Sequence, residues 1–356
     1  MAHRFLIWYD GAMQHEVTNN QPLLGKNGRI IEEGWARRPV WKYDRSMVKG
    51  TAFRIKEWEY YAIVNQDEQW ATAVTFSDLG YAGVFAIAYI DLKTGRVSQT
   101  DAIAPLTLGK LGIPATSTEN HELAWANKHI RIALVKRGEE RHIMYACPSL
   151  DLGDGIIGLD VDITLKQPSS LESMTIATSW KKNRTCFYHN EKVNCLGATG
   201  TIRRGTALQR LPLGSTFGVL DWGRGKWTYR NTWYWASCSG TVEQVPFGLN
   251  LGYGFTDRSP ASENVIIYDS VVHKLCEVTF EYGSYLEEWT IRDDEGRLDL
   301  VFQPVADRSS HFNLLLIASE QHQIFGHFSG RCTLDNGNTI VVDKIAGFAE
   351  EVANRW

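Results

Sequence analysis

"NTWYWASCSG" at residues 231–240 and "PFGLNLGYGF" at residues 246–255 decide the class of fold. Side chains alternate across a strand. Trp233, Trp235, Ser237 and Ser239 therefore share one face, and Tyr234, Ala236 and Cys238 the other. In the second run Phe247, Leu249, Leu251, Tyr253 and Phe255 point one way, opposite Gly248, Asn250, Gly252 and Gly254. This period of two belongs to strands. Runs of the same kind extend both ways: "FRIKEWEYYAIV", "WATAVTFSD", "AGVFAIAYIDL", "HIRIALVKRG" and "GLDVDITL" before, "ENVIIYD", "HKLCEVTFEY", "RLDLVFQPV", "FNLLLIAS", "HQIFGHFSGRCTL" and "NTIVVDKIAGFAE" after. Between them "KTGR", "DEGR" and "DNGN" place glycine where a tight turn needs positive φ. Many short strands on tight turns describe an antiparallel sandwich or barrel, an all-β chain. Residues 118–122 carry the one short helix signal, and "GWARRPVWKYDR" (34–45) reads as an extended strap.

A chain of 356 residues fits one large or two medium domains. "EYYA" (59–62) and "WYWA" (233–236) echo one another as two copies of a β unit would, with chance similarity as the alternative. The loop-rich stretch 195–216 supplies a boundary, giving a strap plus barrel over 1–214 and a second barrel over 215–356.

Composition is that of an ordinary globular protein, 44% hydrophobic and 22% charged, with 13 Trp that favour aromatic-walled strands. A net charge of −4 provides no field for nucleic acid or anionic lipid. Six cysteines without a CxxC pair read as buried thiols in a reducing compartment. The apolar run at the N-terminus is too short for a signal peptide, and no stretch reaches the ~20 apolar residues of a membrane span. A cytoplasmic protein without stable membrane insertion is expected, and oligomeric state is not legible.

"FGVLDWGRGKWTYRNTWYWAS", "GLNLGYGFTDRSPASENVIIYDSVVHKL", "HQIFGHFSGRCTLDNG" and the terminal "GFAEEVANRW" resemble the domain of unknown function 2804 family. That family is similar to carotenoid 1,2-hydratase and tocopherol cyclase, distantly. The resemblance implies two tandem lipocalin-like (calycin) β-barrels, with an apolar ligand in or between them. In the carotenoid hydratase pattern an aspartate between two Trp is the proposed proton donor. Here that strand reads Trp233-Tyr234-Trp235, so a phenol stands where the acid is expected. Of the upstream turn only Asp221 survives, in Asp221-Trp222-Gly223-Arg224-Gly225.

Read as residues alone, the indoles of Trp233 and Trp235 suit a pocket wall, and the Gly–Asn face gives the room such a wall needs. Aromatic–glycine packing in a tight barrel is the plainer reading. "DRSPASENVIIYD" sets Asp257, Arg258, Glu263 and Asn264 at the mouth of that region. Glu263, sharing a face with Val265 and Ile267, is expected to meet apolar surroundings that raise a carboxyl pKa and suit a general acid. The alternative is an exposed carboxylate paired with Arg258. Asp221 and Arg224 also fit a structural turn clamp. His327 is a candidate for proton transfer or a satisfied rim histidine. His322 and His327, five apart, fall on opposite faces and argue against joint metal ligation. Glu57 and Glu59 beside Tyr61 are expected to face solvent or a polar cavity, with Trp58 and Tyr60 packing the barrel.

The candidate catalytic set is thus Glu263, Tyr234, Asp221 and His327. The candidate ligand-binding set is Trp222, Trp233, Trp235, Asn250, Tyr253, Asp257 and Asn264. No motif for a metal, nucleotide or other cofactor is present. The expected function is binding of a hydrophobic isoprenoid- or polyketide-like small molecule in an aromatic-lined barrel pocket, with its cyclisation, hydration or isomerisation. A non-catalytic carrier of the same ligand and a carbohydrate-handling protein are the alternatives.

Overall fold

The computed structural model describes residues 14–314 and 317–355; the N-terminal run read above against a signal peptide falls mostly outside them. Two large antiparallel sheets curl into two lipocalin-like barrels in tandem. The first has thirteen strands, with Ile55–Asn65, Thr216–Lys226 and Asn183–Arg204 side by side at its centre. The second has nine, with Val245–Tyr253, Arg230–Val242, Thr339–Arg355, Ile317–Thr333 and Leu298–Leu314 in that spatial order. The glycines of the three expected turns, Gly95, Gly296 and Gly337, all have positive φ and join adjacent strands.

The chain passes from the first sheet to the second between Lys226 and Arg230. The strand Thr216–Lys226, placed by the sequence in the second unit, is therefore hydrogen-bonded on both sides within the first sheet. Residues 118–122 form no helix. His121 instead starts the strand His121–Ala126, and two single-turn 3-10 segments are the whole helical content among the described residues. None of it is long and apolar enough to cross a membrane.

Each barrel is filled by its own side chains. Tyr61, Phe85, Leu134 and Ile163 lie in the first core, and Leu249, Trp289, Phe302 and Phe328 in the second. A third apolar cluster lies between the sheets and joins Tyr60 and Val219 of the first to Trp235, Phe325 and Phe348 of the second. This contact layer is the seam. Asn194 pins it, its amide nitrogen reaching Ser237 Oγ at 2.8 Å, Leu249 O at 2.9 Å and Cys238 O at 3.1 Å. The bulge that turns Asn194 outward is completed by Cys195, at φ 60°, whose N–H donates to Ser239 Oγ at 2.9 Å.

The face pairing read from the sequence holds, but the direction differs. Tyr234, Ala236 and Cys238 enter the second core, so the face carrying Trp233, Trp235, Ser237 and Ser239 is turned to the seam and not into a barrel lumen. In the first sheet the faces exchange likewise. Trp58 and Tyr60 look into the seam, while Glu57 and Glu59 are buried on the barrel side. They are tolerated there because each has partners: Glu57 accepts from Tyr43 at 2.8 Å and pairs with Arg45 at 2.7 Å, and Glu59 pairs with His121 at 3.1 Å and accepts from Tyr61 at 3.0 Å. The expected strap is present as an extended segment whose Val17, Leu23, Trp41 and Tyr43 pack with Phe187 of the first sheet.

Candidate functional site

Along Asn183–Arg204, residues 188, 190, 192 and 194 face the seam as Tyr, Asn, Lys and Asn, all buried. Lys192 Nζ lies 2.8 Å from Asp221 Oδ2 and 3.7 Å from the centre of the Trp235 ring. Asn190 donates to the other oxygen of Asp221 at 2.6 Å. The lysine is thus charge-paired on one side and set over a π face on the other. Trp235 turns its indole N–H to Asn250 Oδ1 at 2.7 Å, and Asn250 in turn donates to the backbone oxygen of Glu263 at 2.7 Å.

Two further carboxyls border this pair. Glu263 accepts from Tyr188 O–H at 3.1 Å and is buried. Gly252 gives it room, since a Cβ there would lie 2.1 Å from Glu263 Oε1 and the carboxyl would have to shift. Glu350 accepts from the indole of Trp233 at 3.0 Å and from Gln323 Nε2 at 3.0 Å. Gln323 is oriented by Tyr60 O–H at 3.1 Å and Arg308 Nη1 at 2.9 Å, both donating to its oxygen.

Burial raises the pKa of Glu263, opposed by the field of Lys192 and aided by that of Asp221. Burial carries Glu350 up to about 7, against the lowering pull of its Trp233 hydrogen bond and Lys192. Three carboxyls share the field of Lys192, and it forms its ion pair with Asp221, so the upward shifts of Glu263 and Glu350 are only partly opposed.

Above the acids lies a ring layer. Trp227 stacks on Phe255 at 5.3 Å and meets Trp233 edge-on at 5.4 Å, and Phe255 meets Tyr188 edge-on at 4.8 Å. Beneath Phe255 a cavity of about 10 Å³ is lined by Tyr188, Gly252, Thr256, Arg258, Ser262 and Glu263 among others. A larger concavity, about 430 Å³, is an open trough on the outer face of the first barrel around Ala124, Ala133, Met144 and Asp162, apart from this cluster.

Of the residues singled out in the sequence, Asp221, Trp233, Trp235, Asn250 and Glu263 come together here. Asn264 holds Glu263 in place, accepting from Gly252 N at 2.6 Å and donating to Cys276 O at 2.7 Å. Asp257 is an anchor of the overlying loop, paired with Arg184 at 2.5 Å. Tyr253 borders the small cavity with one edge and stacks on Tyr234 at 4.6 Å. Tyr234 itself points to the opposite side of its strand, towards Glu351 at 3.4 Å, because alternation sets it against its two Trp neighbours. Trp222 faces the first barrel, between His189 and Arg224, for the same reason. His327 bonds Gln69 at 2.5 Å across another part of the seam, and burial lowers its pKa. Glu263 does not pair with Arg258, which pairs with Glu277 at 3.0 Å. Tyr188, Lys192 and Glu350 were not singled out, although the run of polar residues at 190, 192 and 194 was a readable signal.

The family described as Domain of unknown function (DUF2804) matches residues 14–356. The chain belongs to that family. No curated protein matches the sequence. Among solved structures this DUF2804 chain is similar to a Nitrosomonas europaea protein given provisionally as an AttH, at 12% identity and a TM-score of 0.53, covering 87% of this chain and 96% of that one. It is similar also to CghA, solved with Sch210972, at 10% identity and a TM-score of 0.52 over 85% of this chain and 89% of that one. Kievitone hydratase from Nectria haematococca is more distant, at 14% identity and a TM-score of 0.48 over 85% and 88%. The first two likenesses carry the fold of the DUF2804 chain and nothing about its chemistry.

Proposed function

We propose that this DUF2804 protein is an acid–base catalyst that hydrates, cyclises or isomerises an apolar, unsaturated small molecule of isoprenoid or polyketide kind, held in the seam between its two barrels. One observation carries the reading: two buried carboxyls, Glu263 and Glu350, inside an aromatic wall, with burial raising the pKa of both and carrying that of Glu350 to about 7. A carboxylic acid that holds its proton near neutral pH is what general acid catalysis needs. Its O–H gives the proton to one carbon of a double bond, and the neighbouring carbon becomes cationic. The π faces of Trp233 and Trp227 lower the energy of that cation. Water adding to it, with a proton lost to the carboxylate, completes hydration. Attack by a second double bond, followed by the same proton loss, completes cyclisation. Proton loss from a different carbon completes isomerisation. In each case the acid is regenerated.

Ligand pockets commonly span about 300 Å³ or more, and the cavity beside Glu263 has about 10 Å³. Substrate admission therefore displaces part of the ring layer, with Phe255 and Trp227 as its outermost rings. That CghA, of similar fold, was solved with a small molecule supports the reading only at the level of the scaffold.

The test is proton transfer itself. Linear polyprenyl and polyene compounds are incubated with the purified protein in D₂O, and products are examined by mass spectrometry for carbon-bound deuterium. Deuterated products that vanish in Glu350→Gln or Glu263→Gln are expected. Unaltered compounds retained by the protein would make it a carrier.

A further inference from the structure

We infer that Arg258 anchors a carboxylate at one end of the substrate, so that the seam selects an unsaturated acid over the corresponding neutral lipid. This rests on the seam being a ligand site, as proposed above, and adds the chemistry of the ligand's polar end.

The cavity under Phe255 has about 10 Å³, room for one oxygen-sized group. Its wall combines apolar surface from Ile176, Tyr253 and Phe255 with the side chains of Arg258, Tyr188 and Glu263. Arg258 enters from the loop between Val245–Tyr253 and Val265–Tyr268, its guanidinium carbon 5.7 Å from the centre of the Tyr253 ring. One arm, Nη2, pairs with Glu277 at 3.0 Å. The other, Nη1, is buried and has no hydrogen-bond partner among the described residues. A buried guanidinium N–H without an acceptor is costly, and a ligand oxygen removes that cost.

The unpartnered, buried Nη1 of Arg258 favours an anionic oxygen. Asp257, the nearest carboxylate in sequence, is engaged by Arg184 at 2.5 Å and by Ser259 at 2.8 Å. Behind the wall, Lys274 Nζ lies 2.8 Å from the hydroxyl of Ser262, which lines the cavity. Glu263, on the same wall, has its pKa raised by burial. Burial lowers the pKa of Lys274 to about 7, so Arg258, paired on one arm with Glu277, is the cation that lines the cavity. A planar guanidinium with a free arm is matched by a carboxylate. A molecule so held runs its apolar body past Phe255 and Trp227 towards Trp233, with Glu263 beside its anchored end and Glu350 beside its far end.

The test compares cis-parinaric acid with its methyl ester, polyenes that differ only in the charge of the head. Binding is read by energy transfer from tryptophan in the wild type, in Arg258→Leu and in Trp233→Phe. The expected result is a preference of about tenfold or more for the acid in the wild type. Arg258→Leu should bind both probes with the affinity of the ester, and Trp233→Phe should reduce the transfer. Equal affinity in the wild type, or a preference that survives Arg258→Leu, overturns the anchor and leaves the seam site standing. Binding of neither probe, or transfer indifferent to Trp233→Phe, overturns both. If Arg258→Leu fails to fold, the wild-type comparison of acid and ester still decides the matter.

Discussion

The indole N–H of Trp233 donates to Glu350 Oε1 at 3.0 Å, so the aromatic wall and the acid are mechanically one piece. Gln323, itself held by Tyr60 and Arg308, fixes the other oxygen, and Lys192 and Asp221 set the local field. A carboxyl raised in the folded state from 4.5 to about 7 binds its proton more tightly there than in the unfolded chain. The sign follows from linkage. The stabilisation is complete below pH 4.5 and is lost as pH rises to about 7. A shift of that size corresponds to something on the order of 3 kcal/mol. Glu350→Gln removes the titration and keeps one acceptor oxygen for Trp233 or Gln323 while turning the other position into a donor, a loss that does not vary with pH in this range. Urea denaturation should therefore show the wild type losing stability relative to Glu350→Gln between pH 4.5 and pH 8. Parallel pH profiles would place the charged form of Glu350 in the fold.

Lys192→Met should leave Asp221 buried with only Asn190 as a partner. Removing one member of a buried pair costs about 3–5 kcal/mol. Adding Asp221→Asn should recover most of that loss, because the stranded charge disappears. A double-mutant cycle in urea measures the coupling, and additive single effects would show that the pair does not act as a pair.

Much of this arrangement was legible beforehand, and the gaps have physical causes. Alternation sorted Trp233 and Trp235 from Tyr234, and set Asn250 and Gly252 on the face they occupy. Alternation says which residues share a face; it does not say whether that face meets a lumen or another sheet. The partner strand Asn183–Arg204 escaped because the seam requires Asn190, Lys192 and Asn194, which erase the apolar period and mimic a loop. Glu350 and Glu351 are neighbours in sequence on opposite faces, and only the packing of Thr339–Arg355 against Arg230–Val242 distinguishes the one that meets Trp233 from the one that meets Tyr234. Asp221 was found through a family resemblance, and its partner Lys192 only through geometry.

Gly252→Ala tests the close approach of Glu263. The new Cβ would sit 2.1 Å from Oε1 and 2.8 Å from the carboxyl carbon, so the side chain has to swing from Tyr188. Overpacking of this kind costs roughly 1–3 kcal/mol. Thermal unfolding should fall accordingly, and any deuterium transfer by the protein should fall further than the stability loss explains. A variant with wild-type stability and turnover would mean that Glu263 is free to relocate without consequence.

Phe255→Ala tests whether the ring layer is the route inward. Phe255 is half-buried, stacked on Trp227 and edge-on to Tyr188, and it roofs the cavity that Glu263 borders. On the proposed route substrate displaces this ring, so removing it makes a binding step limited by that rearrangement faster. Stopped-flow mixing with cis-parinaric acid should show an association rate constant roughly tenfold higher than in the wild type. Dissociation should quicken as well, since the same ring closes over the bound molecule. A variant that is merely less stable, with unchanged association, would place the route elsewhere along the seam, and the contacts of Phe255 with Trp227 and Tyr188 would then serve the fold alone.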